Sequence, residues 1–289
     1  MTIKRTHFFW IFVSLCAVIT GLAGCATLDE KQRAWIFQPS DLTWSGGTAA
    51  AEGMQEVSID FQAKADGQPV HLNALWLATD AGDKRQAEDA PILLYLHGAR
   101  YNVTGSAPRI RRMQELGFSV LAIDYRGFGK STPALPSEAS AAEDARAAWD
   151  WLAAKYPSRP RYIFGHSLGG PIAIGLAADV TDERGTIVEG TFTSIADVVG
   201  TSQWGWLPVS LLITQRFEAV RKVGQIGSPL LVVHGEEDRL IQPDLGRKLF
   251  EAAVEPKLFV LVPGGSHHNT NQVGQPQYRQ ALAQLMKLR

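Results

Sequence analysis

The sequence predicts an α/β protein built on an eight-stranded, mostly parallel sheet with helices on both faces and a minimal cap. Three observations carry this. Short continuous apolar runs alternate with helical stretches from Pro91 to the end of the chain. Two segments of alternating apolar and polar residues come before them, separated by a turn, which is the pattern of an antiparallel hairpin. A G-x-S-x-G pentapeptide, Gly165-His166-Ser167-Leu168-Gly169, lies where one apolar run meets one helical stretch.

Taken in order, the chain opens on Lys4 and Arg5, followed by an uncharged stretch from Phe8 to Leu28. A positive start and an apolar run are the layout of an export signal. The stretch contains Leu22-Ala23-Gly24-Cys25, which resembles the lipobox of bacterial lipoproteins. That resemblance implies a signal peptide over 1–24, acylation of Cys25, and a place in the bacterial cell envelope, membrane-anchored on the periplasmic side. An uncleaved transmembrane anchor is the other reading, because about 20 apolar residues span a bilayer. The only cysteines are Cys16 and Cys25, so the domain beyond them is expected to hold no disulfide and no thiolate metal cluster.

Residues 25–55 read as a lipidated start and an irregular lead-in, with Trp35 and Phe37 packing on the domain surface. The domain proper spans 56–289. Val57–Phe61 and the segment through Leu72, Ala74 and Trp76 alternate like half-buried strands around the turn Asp66-Gly67-Gln68-Pro69. The runs Ile92–Leu96, Ser119–Ile123, Tyr162–Phe164, Thr186–Val188, Leu230–Val233 and Leu258–Val262 then read as strands buried on both faces. Helical stretches near 106–116, 138–155, 168–180, 243–254 and 276–288 fall between or after them and supply the crossovers of a parallel sheet. The composition is that of a globular protein, 45% hydrophobic and 20% charged, with a formal net charge of −1. Such a near-neutral balance offers no basic stripe for a phosphate backbone, so nucleic acid is excluded as a partner.

The pentapeptide alone is weak evidence, but its setting is not. It follows Tyr162-Ile163-Phe164 and precedes Pro171, Ala173, Ile174 and Ala177, a strand–turn–helix in which a serine hydroxyl is lifted above the sheet. The turn is tight enough that the positions two before and two after Ser167 must lack a Cβ, and Gly165 and Gly169 meet that need. Ser167 is therefore the candidate nucleophile.

At this point the chain resembles the α/β-hydrolase superfamily, of a compact serine-peptidase or deacylase-like kind, from residue 57 onward. The resemblance implies a triad in the order Ser, acid, His on successive loops. His234-Gly235-Glu236-Glu237-Asp238-Arg239-Leu240 matches the family's acid loop with Asp238, leaving Glu236 and Glu237 solvated. Gly264-Gly265-Ser266-His267-His268 supplies the base; the family's spacing fits His267 better than His268, which would then bond the backbone. Tyr95-Leu96-His97-Gly98-Ala99 matches the oxyanion loop, implying the backbone N–H groups of Ala99 and Leu168 as donors. His97 and His234 read as structural. Asp124-Tyr125-Arg126-Gly127-Phe128-Gly129-Lys130-Ser131 is a further family signature, with Asp124 and Arg126 bracing loops.

A cap-like segment over 193–227 is short, and its run from Trp204 to Ile213 is apolar enough to line an acyl pocket, touch a bilayer or pack on the domain. Together these features imply a monomeric serine hydrolase of carboxylic esters or related acyl bonds, acting on a small-molecule or acylated substrate without metal or other cofactor. A peptidase, a thioesterase or deacylase of the same fold, and a noncatalytic envelope binding protein are the alternatives.

Overall fold

In the computed structural model, which describes residues 26–44, 46–80, 89–201 and 212–288, the apolar runs become eight strands. They are β1 (Gln55–Gln62), β2 (Pro69–Leu77), β3 (Ile92–Leu96), β4 (Ser119–Ile123), β5 (Arg161–His166), β6 (Glu183–Glu189), β7 (Leu230–Gly235) and β8 (Lys257–Val262). They pair into one sheet in the order β1-β2-β4-β3-β5-β6-β7-β8. β2 runs antiparallel to both β1 and β4, and every other pairing is parallel. Only β2 therefore opposes the rest, because a hairpin reverses direction once on entering it and once on leaving. The order reverses at β3, which lies between β4 and β5. Ligands of open α/β sheets bind at such a switch point, beyond the carboxyl ends of the strands.

The burial of β3 explains why its sequence shows no alternation. Ile92, Leu94 and Leu96 enter one core cluster, while Leu93 and Tyr95 enter another on the opposite face. The first cluster is covered by Ala145 and Trp149 of α4 (Glu138–Lys155), Ile172 and Leu176 of α5 (Gly169–Asp179), and Leu245 and Leu249 of α8 (Pro243–Ala252). Ile110 and Met113 of α3 (Ala107–Glu115), with Tyr278 and Leu282 of α10 (Gln275–Met286), which follows the short α9 (Thr270–Val273), cover the second. Helices thus lie on both faces. The start of α4 is written locally: Ser137 accepts the Ser140 N–H while the Ser140 hydroxyl accepts the Ser137 N–H at 2.8 Å. Such a cap stabilises a helix by about 1 kcal/mol.

The region ahead of the sheet departs from expectation. Residues 26–37 form a helix, α1, and Gly47–Ala51 a second, α2, where an irregular lead-in was expected. The run Glu30-Lys31-Gln32-Arg33-Ala34 consists of good helix formers, and Ile36 and Phe37 give the helix an edge to bury. Phe37 is wholly buried rather than superficial, whereas Trp35 points outward with 64% of its surface exposed. One helix cannot bury adjacent positions 35, 36 and 37 on a single narrow stripe.

Among the described residues of 193–227 the chain forms α6 (Ile195–Gly200), α7 (Ala219–Lys222) and a 3₁₀ turn over Val223–Gln225. The segment from Trp204 to Leu211 lies outside the described residues, as do residues 1–25 with Cys25. Among the described residues no helix is long and apolar enough to cross a membrane.

Candidate active site

Ser167 sits at φ +53°, in the left-handed region, between β5 and α5. A non-glycine residue there carries strain of about 1–3 kcal/mol and persists only where its surroundings fix it. Here the Ser167 N–H donates to the Glu189 carbonyl at 3.0 Å, and its own carbonyl accepts from the Thr191 hydroxyl and the Gly170 N–H, each at 2.9 Å. A Cβ at Gly165 would fall on the Gly169 carbonyl, and one at Gly169 on the carbonyl of Leu96. Both collisions are with backbone, which cannot move aside. The same close approach brings the end of β3 against Ser167: a Cβ at Gly98 would lie 3.0 Å from the Ser167 Cβ.

The loops after β7 and β8 bring the other two residues to Ser167. His267 Nε2 lies 3.0 Å from Ser167 Oγ, and His267 Nδ1 lies 2.8 Å from Asp238 Oδ2. The second carboxylate oxygen accepts the Leu240 and Ile241 N–H groups, each at 2.9 Å. Burial alone would favour the protonated acid, but the hydrogen bonds from the His234 and His267 rings, the His267 charge and the Ile241 N–H outweigh it and hold Asp238 well below the usual carboxylate range. An ionised Asp238 can only accept, so Nδ1 of His267 carries the hydrogen and Nε2 is left to accept the Ser167 hydroxyl proton. The acid and base loops are knitted by the Glu237 N–H, which donates to the Gly265 carbonyl at 2.8 Å.

His268 turns away. Its exposed ring stacks on Trp44, with centroids 5.5 Å apart and planes at 25°. The expectation that it bonds the backbone through its side chain is replaced by this stack, although its carbonyl does accept from Arg109 Nη2 at 3.4 Å. Glu236 and Glu237 are exposed. His97 and His234 are buried, the first against the Gly98 carbonyl at 2.6 Å and the second against the Ile241 carbonyl at 2.9 Å. Burial, only partly offset by the Gly98 carbonyl, lowers His97 to about 4 and keeps it neutral.

Among the described residues no protein group accepts the N–H of Ala99 or of Leu168. The next two residues, Arg100 and Tyr101, are left-handed at φ +66° and +56°. A strap over residues 37–44 holds them. Arg100 donates its N–H to the Phe37 carbonyl at 2.9 Å and its Nε to Gln38 Oε1 at 2.7 Å. Asn102 donates its N–H to the Leu42 carbonyl at 3.1 Å and its Nδ2 to the Asp41 carbonyl at 2.9 Å.

Sequence reasoning missed this strap and also a buried charge network beneath the site. Glu189, at the end of β6, is fully buried and takes Arg109 Nε at 2.9 Å and the Tyr278 hydroxyl. His166, beside Ser167, donates from Nε2 to the His267 carbonyl at 3.2 Å. Burial first, then the Arg109 and His267 charges, push His166 well below its ordinary value. A lone glutamate closing a buried apolar run was the available signal, since such a charge needs a partner. Asp124 and Arg126 brace loops as expected: Asp124 accepts the Val103 N–H at 2.6 Å and Asn73 Nδ2 at 3.0 Å, and Arg126 Nε reaches Asp144 at 2.7 Å. Among the described residues no group of three or more His, Cys, Asp or Glu is placed to hold a metal ion.

The family described as serine aminopeptidase, S33, matches residues 87–217. The uncharacterized protein Rv2307c of Mycobacterium tuberculosis is 30% identical over 271 residues, covering 93% of this chain and 91% of its own length. The lysophosphatidylserine lipase ABHD12 of Danio rerio is 30% identical over 208 residues, which cover 63% of this chain and 54% of that protein. Among solved structures, the esterase Pf2001 of Pyrococcus furiosus superposes with a TM-score of 0.65 at 20% identity, covering 86% of this chain and 99% of that one.

Proposed function

The chain belongs to the α/β-hydrolase superfamily, and from that premise we propose that it hydrolyses carboxylic esters or related acyl bonds through a Ser167 acyl-enzyme. The observation that carries the proposal is the unbroken hydrogen-bonded line from Asp238 Oδ2 through the His267 ring to Ser167 Oγ.

In this reading Ser167 Oγ attacks the acyl carbon while His267 Nε2 takes its proton. The carbonyl oxygen becomes an oxyanion facing the Ala99 and Leu168 N–H groups; one such donor is worth about 10²–10³ in rate. The intermediate collapses, and His267 hands the proton to the departing alkoxide, which leaves as an alcohol. Water then attacks the acyl carbon while the same nitrogen takes its proton, and that proton passes to Ser167 Oγ as its bond to the acyl carbon breaks, releasing the acid and the free serine. Asp238 stays ionised throughout and stabilises the imidazolium that forms twice.

An ester needs less help with its leaving group than an amide, and the acyl centre is the same in a thioester. p-Nitrophenyl esters of graded chain length test this. The expected result is saturable, Ser167-dependent turnover that peaks at a short or medium acyl chain. Turnover that is confined to aminoacyl amides would move the protein to the peptidase reading, and none on any acyl substrate would favour an envelope binding protein. Anchoring through Cys25 is a further proposal, motivated by the Leu22–Cys25 run. A Cys25→Ser variant that still incorporates labelled lipid would contradict it.

A further inference from the structure

Trp44 is exposed over 45% of its surface, so burial does not explain why a large aromatic residue stands there. Its position is set by backbone instead. The strap on its amino-terminal side is hydrogen-bonded to Arg100 and Asn102, and the Thr43 hydroxyl adds a bond to Asn102 Oδ1 at 3.0 Å. On its other side the Trp44 carbonyl accepts the Gly47 N–H at 2.9 Å, at the start of α2. Gly105 permits the approach, since a Cβ there would lie 3.1 Å from the Trp44 nitrogen.

The ring held in this way meets two separate loops. It stacks on His268, the residue after the one bonded to Ser167. It also meets Tyr101 edge-on, with centroids 5.1 Å apart and planes at 85°. Tyr101 is two residues beyond Ala99 and, like Arg100, left-handed, a conformation that needs external support to persist.

We propose that Trp44 is a positioning residue, which fixes the His267–His268 loop and the Ala99–Tyr101 loop relative to each other so that base and oxyanion donors meet one acyl centre. The inference rests on the acyl-transfer reading above and deepens it. A residue acting in this way favours the transition state more than the bound ground state, because only the former needs both loops in register.

The test compares wild type, Trp44→Ala and Trp44→Phe in three measurements: kcat and KM on a p-nitrophenyl ester, the rate of inactivation by a fluorophosphonate, and the thermal midpoint. Trp44→Ala is expected to lose about 10- to 100-fold in kcat and in inactivation rate. Its KM should stay within about threefold of wild type, and the phenylalanine variant should recover most of the loss. Wild-type kcat in Trp44→Ala, a loss confined to KM, or a phenylalanine variant as impaired as the alanine one would each overturn the proposal. Should Trp44→Ala fail to fold, Gln38→Ala cuts the strap's bond to Arg100 and is expected to slow inactivation by about two- to tenfold; an unchanged rate would then overturn it. Absence of labelling in folded wild type is a different result, since it removes the serine hydrolase reading and the proposal with it.

Discussion

The carboxyl edge of the sheet twice sets a buried aspartate beside a strand-end His-Gly pair, and the two places differ in what the aspartate does. At the end of β3, His97 Nε2 lies 3.8 Å from Asp124; at the end of β7, His234 Nε2 lies 3.5 Å from Asp238. Both carboxylates are nearly inaccessible to solvent. Burial pushes Asp124 up to about 6 despite the Asn73 and Val103 donors and the Lys130 charge. Asp238 is held well below its ordinary value, because histidine rings and the Ile241 N–H outweigh the same burial. Similar burial therefore gives opposite results, and the partner decides. Asp238 accepts from the His267 ring and two backbone N–H groups, whereas the hydrogen bonds to Asp124 come from the Asn73 amide and the Val103 N–H.

Exchanging each carboxylate for an amide tests that distinction most severely. Asp238→Asn would present an N–H to His267 Nδ1 and favour the wrong tautomer, so kcat is expected to fall by about 10⁴. Asp124→Asn leaves the proton path untouched and should retain activity to within about tenfold. Steady-state kinetics on one ester decides this, and comparable losses in the two variants would erase the distinction.

A smaller effect separates the two aspartates by pH. Folded Asp124 keeps its proton up to about 6, whereas its unfolded value is 3.8. Its contribution is therefore complete below about pH 4 and is lost as the pH rises through about 6. Across that window, wild type should lose up to about 3 kcal/mol of stability relative to Asp124→Asn. Asp238 has the opposite sign: its contribution is present above 3.8 and fades as the pH falls. Urea unfolding of wild type and Asp124→Asn from about pH 4 to pH 7 reads the first slope, and of wild type and Asp238→Asn below about pH 4 the second. A wild-type to Asp124→Asn gap that widens in wild type's favour with rising pH would contradict the assignment.

The smallest expected effect is at the second histidine. His268→Ala removes a stacking contact and should cost at most about tenfold in kcat. His267→Ala should lose nearly as much as deleting the nucleophile. If the two variants behaved the other way round, Asp238 would be the wrong partner to compare.

These predictions draw unequally on sequence and structure. Runs such as Ile92–Leu96 and Ser119–Ile123 were legible to the residue, because strands covered on both faces read as continuous apolar runs. Ser167, Asp238 and His267 were legible because each lies in a turn whose glycines and chain order are local signals, and the fold brings the three within hydrogen-bonding distance. The strap was not. Gln38 meets Arg100 and Trp44 meets His268 across long separations in sequence, and neither contact leaves a periodic trace. Residues 26–37 were misread for a related reason: a helix that buries only Ile36 and Phe37 shows too narrow a stripe beside an apolar leader. Arg109 and Glu189, which come from a helix and a distant strand, were equally beyond a linear reading.

The central claim, that Ser167 is the nucleophile driven by His267 and Asp238, is met most directly by mapping a covalent adduct. Purified protein is treated with a fluorophosphonate, digested, and the modified peptide sequenced by mass spectrometry. The account predicts a single adduct on Ser167, absent from Ser167→Ala, with kcat in that variant lower by about 10⁴–10⁶. An adduct on another residue, or a Ser167→Ala enzyme that keeps about a tenth of wild-type turnover, would contradict it.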